Sequence, residues 1–120
     1  LIVGTEEEIA IAGGSSVLLE SLQNIRKKSN AAIVLKRGAA GCVVYDSERI
    51  DSLADGVSCA GLDVEVFNSV GAGDAFLSGF LSAWIEGRPW ADCGRNGNAC
   101  GALVVARHGC TPATPRRIWK

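Results

Sequence analysis

The sequence has 120 residues, enough for one small domain or for part of a larger one. Its 48% apolar and 21% charged residues are an ordinary globular mixture, and a net charge of −1 gives no electrostatic reason to expect nucleic acid or a membrane surface as partner. Apolar runs such as Ala31–Leu35 and Ala102–Ala106 are far too short to span a bilayer.

Five cysteines (Cys42, Cys59, Cys93, Cys100, Cys110) make an odd number with no CxxC pair, which argues against a zinc site, a disulfide framework or a redox protein. They read as buried free thiols in a reducing cytoplasm. No basic-then-apolar leader opens the chain, which agrees with a cytoplasmic location. The sequence has no methionine and starts on Leu-Ile-Val as though already inside a strand, so it reads as a piece of a longer protein.

In chain order, Leu1–Val3 reads as the end of a buried strand. Thr5-Glu6-Glu7-Glu8 has the form of a capping box, with Thr5 as N-cap and Glu8 at the third helical position. Gly13-Gly14-Ser15-Ser16 stops that helix, and another begins near Ser16 with Leu18, Leu22 and Ile25 on one face. Ala32–Lys36 is apolar on both faces, as central parallel strands are. Gly38–Gly41 turns the chain and Cys42–Tyr45 returns as a neighbouring strand. A loop rich in Gly, Ser and Asp leads to a short strand over Val64–Phe67.

From Ala72 to about Glu86 the pattern is helical, with Phe76, Phe80 and Ala83 on one stripe, and Gly87-Arg88-Pro89 ends it. The next helix, roughly Trp90 to Ala106, holds Gly94, Gly97, Ala99, Gly101 and Ala102. Each glycine inside a helix costs about 1 kcal/mol relative to alanine, so a neighbouring backbone or a ligand must approach it closely. The alternation of strand and helix predicts an α/β layer structure.

The stretch Asn68-Ser69-Val70-Gly71-Ala72-Gly73-Asp74-Ala75-Phe76 carries the chemistry. Gly71, Ala72 and Gly73 leave almost no side chain over backbone N–H groups that open a helix, where the dipole is positive and intrahelical partners are lacking. That is an anion site suited to a terminal phosphate. A carboxylate beside it, Asp74, would repel a phosphate, and makes sense as the acceptor of a proton from a hydroxyl attacking that phosphate. Gly-x-Gly-Asp by itself reads first as a plain turn whose aspartate satisfies first-turn amides, and it is neither a Rossmann fingerprint nor a Walker A loop.

Val70–Phe76, preceded by Asn68, resembles the C-terminal signature of the ribokinase (PfkB) family of carbohydrate kinases. Thr5–Glu8 resembles that family's Asn-x-x-Glu segment, with Thr5 in place of the usual Asn. Lys36-Arg37-Gly38-Ala39-Ala40-Gly41 resembles its nucleotide-side glycine loop. Asn98–Ala102 through Gly109 and Pro112 resembles the helix and loop that close over adenine. Within the family, Glu65–Asn68, Cys93–Arg95 and Asn98–Cys110 are most similar in wording to the 5-dehydro-2-deoxygluconokinases of inositol catabolism.

The resemblance implies the C-terminal, nucleotide-binding part of a single ribokinase-like domain: three layers around a mainly parallel sheet, with the N-terminal half and most sugar-binding residues upstream. It implies ATP-dependent phosphorylation of a sugar or sugar-acid hydroxyl, with Asp74 as general base and the amides of Gly71, Ala72 and Gly73 as anion hole. Lys36, Gly38, Ala39, Gly41 and Asn98 would line the nucleotide site. Glu8 would order Mg2+ through water, alongside its capping task. Asn68, Val70, Val104, Arg107, Gly109 and Ala113 match a monovalent-cation site, with Asn68 where an Asp is common, so K+ activation is a weaker implication. His108 matches no catalytic position, and Trp84, Trp90 and Trp119 read as packing residues.

Two alternatives stay open: another sugar kinase of the family (fructokinase, ribokinase or 2-dehydro-3-deoxygluconokinase), or a non-catalytic nucleotide-binding remnant. The full-length protein's oligomeric state is open too. The 120 residues alone are expected to be inactive and aggregation-prone, with apolar strand surface such as Ile33–Leu35 exposed.

Overall fold

The computed structural model describes residues 1–61 and 71–105, with the backbone alone for residues 104 and 105. The chain divides into two units. The first comprises Leu1–Gly38 with Cys42–Ser58, and the second comprises Ala39–Gly41 with the chain from Cys59 onward.

The first unit opens with β1 (Ile2–Thr5), then α1 (Glu6–Gly13), α2 (Leu18–Lys28) and β2 (Ile33–Lys36). β1 and β2 are parallel, pairing Ile2 with Ile33 and Thr5 with Lys36, because the two intervening helices provide the crossover that a parallel pair needs. β3 (Gly41–Tyr45) runs antiparallel to β2, pairing Ile33 with Tyr45 and Lys36 with Cys42, since residues 37–40 are too few for a crossover. With β4 (Val57–Ala60) the strand order is β1-β2-β3-β4. The described part of the sheet is therefore mixed, within the α/β class the sequence predicts.

Long aliphatic side chains build this unit's core. Ile9 of α1, Leu22 and Ile25 of α2, Ile33 and Leu35 of β2, and Val43 and Tyr45 of β3 form one buried cluster with Ile50. The Leu18-Leu22-Ile25 stripe faces this cluster, as the helical period predicts. Arg26 is buried with them. Its Nη1 donates to the Ser29 and Ala31 carbonyls and its Nη2 to that of Tyr45, so the guanidinium ties the end of α2 to β3. The expected exposure of Ile33–Leu35 is corrected. All three are buried within the chain, Ile33 and Leu35 in the cluster that α1 and α2 join.

β4 falls inside the stretch that the sequence reads as a loop. Its residues Val-Ser-Cys-Ala bury only Cys59, so too short an apolar signal marks it. The strand expected over Val64–Phe67 lies outside the described residues.

The second unit holds α3 (Ala72–Ile85) and α4 (Trp90–Val105). Phe76, Phe80 and Ala83 are buried along one stripe of α3, as expected. Phe80 stacks on Phe76 at 5.9 Å and on Trp90 at 6.2 Å between ring centroids. The close neighbour that the small residues of α4 imply is α3. A Cβ at Gly97 would stand 3.0 Å from the Phe76 carbonyl oxygen, and one at Gly79 would stand 2.8 Å from that of Asn96. Asn96 Nδ2 donates to the Gly79 carbonyl at 2.6 Å, a polar clasp at the same crossing. Trp84 departs from the packing role expected of it. It is 43% exposed near the end of α3, beside Ile85 at 79%.

Cys42, Cys59, Cys93 and Cys100 are buried and form no disulfide, as the odd count and spacing predict. Burial raises the pKa of the Cys93 and Cys100 thiols, which keeps them protonated and inert.

Candidate active site

The expected site residues fall into two groups, one in each unit. In the first unit they gather at the C-terminal ends of the parallel strands, where open α/β sheets bind ligands. Thr5 closes β1 opposite Lys36, which closes β2. The capping box is present in both directions. The Thr5 N–H donates to Glu8 Oε1 at 2.9 Å, and the Glu8 N–H donates to Thr5 Oγ1 at 3.3 Å. These bonds, the backbone one first, hold the exposed Glu8 carboxyl below the usual glutamate range, and the charge of Lys36 adds to the effect. Arg37 Nε meets Glu6 Oε1 at 3.2 Å, pairing the start of α1 with the residue after β2. Gly38 follows.

Capping and metal binding are compatible at Glu8. Oε1 takes the Thr5 N–H, and the carboxylate stands at the surface. No group of three or more His, Cys, Asp or Glu able to hold a metal occurs among the described residues. These donors fit an ion that keeps its own waters and is held chiefly by nucleotide phosphates, as Mg2+ commonly is. They do not fit an all-protein cage.

The second unit gathers Ala39, Gly41, Gly71, Ala72, Gly73, Asp74 and Asn98. Gly71 is the N-cap of α3 with φ 84° and ψ −3°, a left-handed conformation that glycine adopts without a Cβ penalty. It brings no capping side chain; the first helical bond is Ala75 N–H to the Gly71 carbonyl at 3.0 Å, and among the described residues no side chain caps the amides before it. Asp74 lies in that first turn and is exposed. No hydrogen bond or ion pair joins it to another of the described residues.

Asn98 is buried in α4, and its Nδ2 donates to the carbonyls of Cys59 at 3.3 Å and Ala60 at 3.0 Å. Sequence reasoning placed it beside adenine and missed this attachment, which joins residues 38 and 39 positions apart. No local pattern marks such a contact. Val104 contributes its backbone to α4. Asn68, Val70, Arg107, Gly109 and Ala113 lie outside the described residues, as do His108 and Trp119. None of the described helices is long and apolar enough to cross a membrane.

The start of α3 thus combines a left-handed glycine with an exposed carboxylate in the first turn. The family model for pfkB family carbohydrate kinases matches residues 1–117, and the chain belongs to that family. A 5-dehydro-2-deoxygluconokinase of Bacillus licheniformis is 27% identical over 119 residues, covering 96% of this chain and 34% of that protein. An uncharacterized sugar kinase of Archaeoglobus fulgidus is 30% identical over 86 residues, covering 72% of this chain and 32% of that protein. The structure of Arabidopsis thaliana ribokinase complexed with ribose and ATP superposes with a TM-score of 0.82 at 22% identity, over 98% of this chain and 38% of that one. This last likeness establishes the ribokinase fold. The chain spans about a third of the length of these relatives.

Proposed function

We propose that the intact protein transfers the terminal phosphoryl group of ATP to a hydroxyl of a sugar or sugar acid, with 5-dehydro-2-deoxygluconate as the first substrate to test. The observation that carries the reading is the start of α3: a left-handed Gly71, amides without a side-chain cap, and Asp74 exposed one turn in. The substrate rests on the wording shared with the dehydrodeoxygluconokinases, one of which is 27% identical to this chain.

In this reading Asp74 accepts the proton of the substrate hydroxyl as its oxygen forms a bond to the terminal phosphorus. The bond from that phosphorus to the bridging oxygen breaks, and ADP leaves. The amides of Gly71, Ala72 and Gly73 donate to the phosphoryl oxygens where charge accumulates. Lys36, Gly38, Ala39 and Gly41 line the nucleotide, and Asn98 belongs with them through its hold on β4. Mg2+ bound with the phosphates would supply charge neutralisation there, and Glu8 would be the residue that helps hold it through water. Potassium activation and a cytoplasmic location complete the proposal.

ADP release by the intact protein, measured with 5-dehydro-2-deoxygluconate, fructose, ribose and 2-dehydro-3-deoxygluconate, tests it. Asp74→Asn is expected to lower kcat by roughly 10²–10⁴ while ATP still binds. Turnover near the wild-type rate in that variant would remove Asp74 from its role. ATP binding with no turnover of any sugar would favour the non-catalytic reading.

A further inference from the structure

Asn98 sits mid-helix in α4, 8% exposed, and the two carbonyls it reaches belong to the last two residues of β4. A buried asparagine is tolerated when its amide is satisfied, and here both contacts converge on one strand end. The residue after that end, Gly61, lies so close to Ala39 that a Cβ on it would overlap the Ala39 carbonyl oxygen and stand 2.9 Å from the Gly41 amide nitrogen. Gly41, at φ 97°, is pressed in return. A Cβ there would overlap the Cys59 carbonyl oxygen and come within 2.5 Å of the Gly61 nitrogen. Residues 39–41 and 59–61 thus lie backbone to backbone with no side chain between them. Contacts of this kind have no flexible tip that can yield, so displacement of one segment moves the other.

We propose that Asn98 is a positioning residue for nucleotide binding: its amide fixes the end of β4, and the end of β4 fixes the Ala39–Gly41 loop against which the nucleotide lies. The inference rests on the proposed nucleotide role of that loop. Asn98 then acts through backbone rather than by reading the base, because its donors are already engaged. Aspartate at this position is the sharpest perturbation. It keeps the shape, removes both donors and turns a carboxylate toward two carbonyl oxygens.

The test compares the intact wild-type protein with Asn98→Asp, Asn98→Ala and Gly61→Ala, using ATP and GTP as alternative phosphoryl donors. Asn98→Asp is expected to raise KM for ATP and for GTP by the same factor, roughly 10- to 100-fold for a buried hydrogen-bonded group left unsatisfied, with kcat changed less. Gly61→Ala pushes the loop from the other side and is expected to give the same nucleotide-independent rise. A changed ATP-to-GTP preference in Asn98→Asp would mean direct contact with the base and would overturn the proposal. So would an unchanged KM in Gly61→Ala, or lost thermal stability with an unchanged KM in Asn98→Ala. Amide hydrogen exchange gives a readout that needs no activity. Exchange at residues 39–41 should quicken in Asn98→Ala, and unchanged exchange there refutes the positioning role even if the protein phosphorylates no sugar. Absence of any ATP binding by the wild type would instead strike the proposed function.

Discussion

The two units of this chain cohere by opposite means. In the first, branched and long side chains from α1, α2, β2 and β3 fill a core: Ile9, Leu22, Ile25, Ile33, Leu35 and Val43. In the second, α3 and α4 meet where side chains are missing, at Gly79 and Gly97, and an asparagine amide spans the gap to a backbone carbonyl. The first core is held by volume present, and the α3–α4 crossing, beside its Phe76–Phe80–Trp90 stack, by volume withheld. A core of the first kind should be sensitive to truncation, and a crossing of the second kind to enlargement.

Leu22→Ala gives the largest effect on that comparison. Leu22 is fully buried at 0% exposure, and its truncation leaves a cavity expected to cost about 2–5 kcal/mol in chemical denaturation of the intact protein. A loss well under 1 kcal/mol would show that the first unit is loosely packed. Gly97→Ala comes next, and there two effects compete. Alanine gains about 1 kcal/mol of helix propensity. Against this, its Cβ would stand 2.9 Å from the Phe76 ring and 3.0 Å from the Phe76 carbonyl oxygen, an overpacking expected to cost about 1–3 kcal/mol. The backbone oxygen cannot swing aside as a side-chain tip can, so net destabilisation is expected. A stabilised Gly97→Ala would break the contrast between the units.

The smallest effects lie at the surface, in the capping box. Thr5→Ala removes the oxygen that accepts the Glu8 N–H and is expected to cost about 1 kcal/mol. The Glu8 contribution has a definite pH dependence. Its folded-state pKa is lowered, so its stabilisation is complete above the ordinary glutamate pKa and is lost as pH falls through the lowered value. The stability gap between wild type and Glu8→Gln should therefore be constant near neutral pH and narrow in acid. A gap that widens in acid would contradict the assigned bonds.

Much of the site is legible along the chain because its parts are local. The capping box needs only the Thr5–Glu8 spacing, and both of its bonds are present. The bare start of α3 follows from glycine at position 71, which can adopt φ 84° and has no side chain to cap with. Asp74 reads as a candidate proton acceptor from its place beside those glycines. Asn98 is different. Its sequence neighbours make it an ordinary helical asparagine, and its partners at Cys59 and Ala60 come from a strand that the sequence presents as loop. The small residues of α4 announce that something comes close without saying whether it is backbone or ligand, and the Phe76 carbonyl beside Gly97 supplies the answer.

The sequence alone determined the α/β class, the order of the helices, the cap at Thr5 and Glu8, and the glycine-rich helix start at Gly71–Asp74. Each depends on residues within a few positions of one another, where backbone preference and hydrophobic period act directly. Tertiary structure alone decided the existence of β4, the glycine-to-backbone crossing of α3 and α4, and the grip of Asn98 on the strand end. Those depend on which distant segments touch, and a contact between residues some forty positions apart leaves no periodic trace in either of the segments that make it.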